Sequence, residues 1–101
     1  MAAAKPSINP STDGKTRVQL DLSPASIERM NRSMHVCDLE TRKDLFNNAL
    51  SLFDWAVEEV MKGRVIASLD EKDKHYTKMA MPALLNAAQY AARRARSVPA
   101  A

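Results

Sequence analysis

The chain has 101 residues, the size of one ordinary domain. Its single cysteine, Cys37, excludes an intrachain disulfide scaffold. Hydrophobic residues make up 46% but aromatics only 5%, so a core must rest on Leu, Val, Ile, Met and Ala; small cores of that kind often borrow area from a partner subunit. The net charge of +3 has a particular placement: residues 1–23 carry three basic and two acidic groups, residues 24–83 nine and ten, and residues 84–101 only Arg93, Arg94 and Arg96. A basic excess lodged in the tail is, taken alone, a weak pointer to nucleic acid.

Residues 1–15 are rich in Ala, Pro, Ser and Asn and end near an Asp13-Gly14 turn pair, so they read as a flexible N-terminal arm. Met1 to Gly14 has one early lysine and no apolar stretch, unlike a signal peptide. No run approaches the roughly 18 apolar residues of a membrane span. The expectation is a cytoplasmic protein with no membrane partner, in a compartment where a free thiol persists.

Arg17 to Leu22 alternates strictly: Val18, Leu20 and Leu22 face one way, Arg17, Gln19 and Asp21 the other. That is the period of a strand buried on one side. No obvious partner strand lies close by in the sequence. Ser23-Pro24 then starts a helix, with Ser as N-cap and Pro at the first helical position. Ile27, Met30 and Met34 recur at helical spacing, and the helix should fade near His35 to Cys37.

Thr41 is the expected N-cap of a second helix, with Asp44 three residues on as a weaker capping box. Leu45, Phe46, Ala49, Leu50, Phe53, Val57 and Val60 make a long apolar stripe, broad enough to be buried on more than one side. Lys62-Gly63 ends it in the usual way. Beyond Gly63 the pattern predicts a β-hairpin: strands over Val65 to Leu69 and Tyr76 to Met81 around the charged turn Asp70 to Lys74. Pro82 breaks it, and Pro82 to Arg96 reads as a C-terminal helix, with residues 97–101 frayed.

Little here suggests catalysis. His35 and His75 stand apart without metal-ligand spacing. Only two glycines are present, too few for a phosphate-binding loop, and no nucleophile–base set assembles. The Asp70 to Asp73 run lacks the spacing and glycine of a calcium loop. The expectation is a non-enzyme without metal or cofactor. Cys37 is expected to be an inert, partly buried thiol, and Trp55 and Tyr90 to be packing residues. Arg93, Arg94 and Arg96 have two readings: a solvated helix end suited to the dipole, or an added phosphate contact.

One amphipathic strand, a Ser-Pro start, a short helix, a tight capped connection and a long helix occur in that order. The residues Arg17-Val18-Gln19-Leu20-Asp21-Leu22-Ser23-Pro24, Ile27, Met30 and Thr41 to Leu50 carry a pattern that resembles the ribbon-helix-helix family of bacterial repressors, of the Arc, MetJ and CopG type. The resemblance spans Arg17 to Lys62. It implies a mainly α fold with a short β-ribbon: an intertwined homodimer over residues 16–62, with residues 63–101 as a hairpin and helix extension. The strands of two chains would pair, and Val18, Leu20, Leu22, Ile27, Met30, Leu45, Phe46, Ala49, Leu50 and Phe53 would form the shared core.

It also implies sequence-specific binding of double-stranded DNA in the major groove. Arg17, Gln19 and Asp21 would face base edges: Arg suits guanine and Gln suits adenine. Asp21 departs from the expected chemistry, since it repels phosphates. Thr41, Arg42 and Lys43 match the family's phosphate clamp at a helix N-terminus, and Lys15 would reach the flanking backbone. The bland reading of each group stands beside this: a solvated strand face, and an ordinary helix cap. Other readings are a dimerisation adaptor that no longer reads DNA, an antitoxin whose residues 64–101 bind a protein partner, and a monomer in which the Arg17 strand pairs with the Val65–Met81 hairpin.

Overall fold

A computed structural model describes residues 7–10 and 14–97, the side chains from 14 to 96. The fold is mainly α with short β-ribbons. The elements are β1 (Ser7–Pro10), β2 (Thr16–Gln19), α1 (Pro24–Val36), α2 (Arg42–Met61), β3 (Ala67–Asp70), β4 (His75–Lys78) and α3 (Pro82–Ser97). The chain forms two compact units, Met1–Leu45 and Phe46–Ala101, and the division falls within α2.

In the first unit, β2 is shorter than the Arg17 to Leu22 alternation predicts; Leu20, Asp21 and Leu22 lie beyond its end. It also has a partner within the chain. β1 pairs with it antiparallel in the register Ser7↔Gln19, Ile8↔Val18, Asn9↔Arg17 and Pro10↔Thr16. Four residues of the expected arm are therefore strand; residues 1–6 and 11–13 lie outside the described residues. The physical reason is that a strand's backbone N–H and C=O groups need partners, and the nearest chain supplies them. Gly14, at φ 82°, adopts the left-handed backbone that a chain reversal favours. Pro10, without a ladder donor, fits the end of an edge strand.

α1 begins where Ser23 accepts a hydrogen bond from the Ser26 N–H at 3.2 Å, with Pro24 in the first turn. It ends in a reversal: the Leu39 N–H donates to the Met34 carbonyl at 2.8 Å, and the Asp38 N–H to the His35 carbonyl at 3.3 Å. That motif needs a left-handed residue, normally glycine; here Asp38 takes it at φ 54°. Met34 and Leu39, both half-buried, bracket the turn, and Ile27, Met30 and Leu45 are half-buried too.

α2 starts at Thr41, whose Oγ1 accepts from the Asp44 N–H at 3.0 Å. Its C-terminus repeats the same closure, this time on Gly63 at φ 85°. The Arg64 N–H donates to the Glu59 carbonyl at 3.0 Å, and the Gly63 N–H to the Val60 carbonyl at 3.1 Å. A side-chain bond doubles it: Arg64 Nη1 lies 2.9 Å from Glu59 Oε2. That hydrogen bond, helped by the charges of Arg64 and Lys62, holds the Glu59 carboxyl below its ordinary value against the opposing effect of burial, which outweighs either charge alone.

In the second unit, β3 and β4 form their own antiparallel ribbon, Ala67↔Lys78 to Asp70↔His75. The Met79 N–H extends the ladder to the Ile66 carbonyl at 2.8 Å. Asp70 Oδ1 accepts from the N–H groups of Lys72 and Asp73, and Lys74 turns the chain at φ 52°. The two ribbons are separate sheets, so β2 does not pair with the hairpin as the monomeric alternative required. α3 begins at Pro82, and the Met81 carbonyl accepts from Leu84 and Leu85. Among the described residues the buried hydrophobics are Ala56 at 7% exposure and Leu84 at 5%.

Two outcomes follow from the helix ends. Asp38→Val, which puts a β-branched side chain into left-handed backbone, should lower stability by about 1–2 kcal/mol, whereas Asp38→Gly should not; urea denaturation at one fixed protein concentration measures both. For Glu59, the depressed carboxyl gives stability that is complete above its ordinary pKa and is lost as pH falls through the lowered one. A carboxyl-carbon NMR titration should show Glu59 returning toward its ordinary value in Arg64→Gln, with a weaker acid dependence of stability.

Candidate nucleic-acid interface

The strand face expected to contact bases is present only in part. Arg17 and Gln19 alternate with Val18 along β2, and all three side chains are exposed. Asp21 is exposed as well, but it lies past the ladder, where strand alternation no longer dictates its direction. Lys15 precedes the strand and is exposed. β2 uses one edge for β1; its other edge has no strand partner among the described residues.

The apolar residues of this segment are uncovered: Val18, on the opposite face of β2, is 54% exposed, and past the ladder Leu20 is 53% and Leu22 40% exposed. A row of three such side chains in water is unfavourable, at roughly 1.5–3 kcal/mol for each that could be buried.

At the start of α2, Arg42 and Lys43 are exposed in the first turn, immediately after the Thr41 cap. The first N–H groups of any helix lack intrahelical partners and attract anions. Here Thr41 already satisfies the Asp44 N–H. Glu40 and Asp44 stand at the same end, so the local charge is mixed. This geometry suits one phosphate held by backbone and two flexible cations, and it also suits a plain cap.

The residues assigned to a shared core divide into two sets. Ile27, Met30 and Leu45 are half-buried within the single chain. Val18, Leu20, Leu22, Phe46, Ala49, Leu50 and Phe53 are exposed. On α2, Phe46, Leu50 and Phe53 follow one another at i, i+4 and i+7, one stripe of the helix. The broad stripe is covered at its two ends, Leu45 on one and Val57 and Val60 beside Ala56 on the other, all half-buried, and is open between them.

Three expectations need correction. Cys37 is an exposed free thiol at the end of α1, not a partly buried one, because the helix closes there by backbone bonds and packs nothing over it. Trp55 is 53% exposed and Tyr90 45%, so neither is a packing residue in the single chain. Tyr90 has another contact instead: the Arg94 guanidinium lies over its ring, 5.7 Å from the centroid, and donates to its hydroxyl at 3.1 Å. The pair sits at i and i+4, a spacing legible in the sequence once the helix is accepted.

The second unit also holds an open apolar cleft of about 430 Å³, lined among others by Val60, Ile66, Met79, Met81, Leu84 and Leu85. Arg64 is the charged residue on its wall, and it is bonded to Glu59. Among the described residues no three His, Cys, Asp or Glu side chains gather as metal ligands would, and no helix is long and apolar enough to cross a membrane. No family model, curated protein or solved structure matches this chain.

Proposed function

We propose that the chain is a ribbon-helix-helix protein: a homodimeric, sequence-specific DNA-binding regulator of the repressor type, with no catalytic step and no cofactor. The observation that carries this reading is the two-sided exposure of the β2 segment. Arg17 and Gln19 face solvent on one side of β2 and Val18 stands uncovered on the other, followed past the strand's end by the large, apolar and exposed Leu20 and Leu22. A second copy would cover these apolar side chains, and Phe46, Leu50 and Phe53 of α2 are a further uncovered row in need of a partner. The polar side would then stand outward on a two-fold ribbon. Isologous pairing of one patch with itself is the commonest way for a soluble chain to complete such a surface.

In this reading Arg17 donates to guanine and Gln19 pairs with adenine. Arg42, Lys43 and the Thr41 turn hold a phosphate on each half-site, and Lys15 adds charge at the flank. Residues 63–101 form an extension that is also a candidate surface for a protein partner.

A second reading has its own support. With β1 on one edge of β2, pairing through the free edge gives four strands in the order β1-β2-β2-β1. At ~4.8 Å per step the outer strands would stand roughly 14 Å apart, whereas the major groove is about 12 Å wide and admits two strands. Reading DNA then requires β1 to leave β2 or to ride outside the groove. A dimerisation adaptor needs neither, and Asp21 adds a repulsive charge near the same surface. The antitoxin reading is less well supported, because residues 67–97 already form a hairpin and a helix rather than an unstructured wrapping tail.

The test is a salt titration of binding to a pool of random duplexes, with sequencing of the retained fraction. The expected result is an enriched palindrome. Arg17→Ala and Gln19→Ala should each cost about 1–3 kcal/mol of discrimination at one position. Removing Arg42 or Lys43 should weaken all sequences alike and flatten the salt dependence. No enrichment from a stable dimer would replace the repressor by the adaptor. Dimerisation is checked separately: Leu20→Asp should abolish both the dimer and the cooperative unfolding transition, read by sedimentation and circular dichroism, and a folded monomer would refute the shared core.

A further inference from the structure

The acidic residues of this chain stop at Asp73. Residues 74–101 contain Lys74, Lys78, Arg93, Arg94 and Arg96, five basic groups and no acidic one. Residues 1–73 contain ten basic and twelve acidic groups. The whole basic excess of the protein therefore belongs to β4, α3 and the residues around them.

α3 sorts these residues by face. At 100° per residue, Leu84, Ala87, Ala88 and Ala91 share one side of the helix. Leu84 is buried and the three alanines are half-buried, so this side is packed. Asn86, Gln89, Tyr90, Arg93 and Arg96 lie on the other side, and all are exposed. That face carries hydrogen-bond donors and positive charge with no carboxylate among them.

The Arg94 guanidinium reaches back over Tyr90, one turn toward the N-terminus, and adds positive charge beside this face. From Asn86 to Arg96 the face runs about 15 Å at ~1.5 Å per residue. Duplex DNA presents one charge per roughly 1.7 Å of axis, so a face of this length suits a polyanion better than a single ion. A membrane surface fits less well: an interfacial helix must insert a large apolar face, and here Leu84 is already buried, the alanines are small, and Leu85, at 60% exposure, is the one large aliphatic side chain that α3 leaves open.

We propose that the exposed face of α3 is a second nucleic-acid surface, one that binds the phosphate backbone of duplex DNA without base selection through Asn86, Gln89, Arg93 and Arg96, with Arg94 at its flank. It stands on the charge and packing of α3, independently of base reading by β2.

The test uses the full chain and measures binding to a random-sequence duplex by fluorescence anisotropy across salt. The variant R93Q/R94Q/R96Q is compared with a charge-matched set elsewhere, R32Q/K62Q/K72Q. The α3 set should lower the slope of log affinity against log salt by about 0.9 for each phosphate no longer neutralised, that is by roughly 2–3 per chain, and weaken binding more than tenfold at low salt. The matched set should change it far less. Gln89→Glu, a single near-isosteric change, should weaken binding to every duplex and guards against loss of the helix in the triple variant. Equal effects of the two sets would show bulk charge alone and overturn the proposal. So would an unchanged slope in the α3 set, or loss of binding to phosphatidylserine vesicles with duplex binding intact. A palindrome selected through Gln19 would persist in the α3 variants, so failure here is distinct from failure of base reading.

Discussion

Burial is the constraint on which the rest depends. Of the described hydrophobic residues only Ala56 and Leu84 are buried in the single chain, while sixteen large ones are exposed. Ordering a residue costs about 1–2 kcal/mol of backbone entropy, and two buried side chains offset little of that. Half of the exposed set is grouped: Val18, Leu20 and Leu22 at alternate positions of the β2 segment, Phe46, Leu50 and Phe53 along α2, and Leu69 against Tyr76 across the hairpin register. Rows at strand and helix periods are what a packed surface looks like before its partner is in place. A second copy is the simplest solution, and the proposed dimer grows from that need rather than from the DNA chemistry.

Local structure, by contrast, is well determined by local bonds. Both α1 and α2 end by the same backbone reversal, and both begin on a hydroxyl that accepts from an N–H three residues on. The two closures differ in one respect. Gly63 takes the left-handed position freely, and the Arg64–Glu59 ion pair reinforces it, whereas Asp38 takes the position at a steric cost. The end of α1 is thus the weaker joint. It is also where Cys37 lies open to solvent.

Charge divides the protein as sharply as hydrophobicity does. Up to Asp73 acids and bases are nearly balanced, and around the proposed phosphate clamp Glu40 and Asp44 accompany Arg42 and Lys43. A protein that binds DNA through such a region alone would gain little from long-range attraction. In the proposed reading the acid-free stretch from Lys74 onward would supply the attraction that the ribbon lacks. Two surfaces, one selective and one indifferent to sequence, would separate specificity from affinity along the chain.

Most of the helices follow from local sequence. Ser23-Pro24, Thr41 and Pro82 mark starts that depend on bonds within one turn, and Gly63 marks an end for the same reason. The hairpin was legible from its charged turn, with strand limits displaced by two residues at the start of β3 and three at the end of β4, where the Met79–Ile66 bond continues the ladder past the strands. The candidate base-reading residues Arg17 and Gln19 were legible because alternation is a local pattern. The β1 strand was not: Ser-Ile-Asn-Pro has one large apolar residue and no period, and it becomes a strand only because β2 offers it a ladder. The stripe on α2 announced that it must be buried but not by what. The folded chain covers its Val57 and Val60 end and leaves Phe46, Leu50 and Phe53 open. Hydrogen bonds inside a turn can be read from neighbours in sequence; the covering of a face depends on which distant atoms arrive there, and no local pattern encodes that.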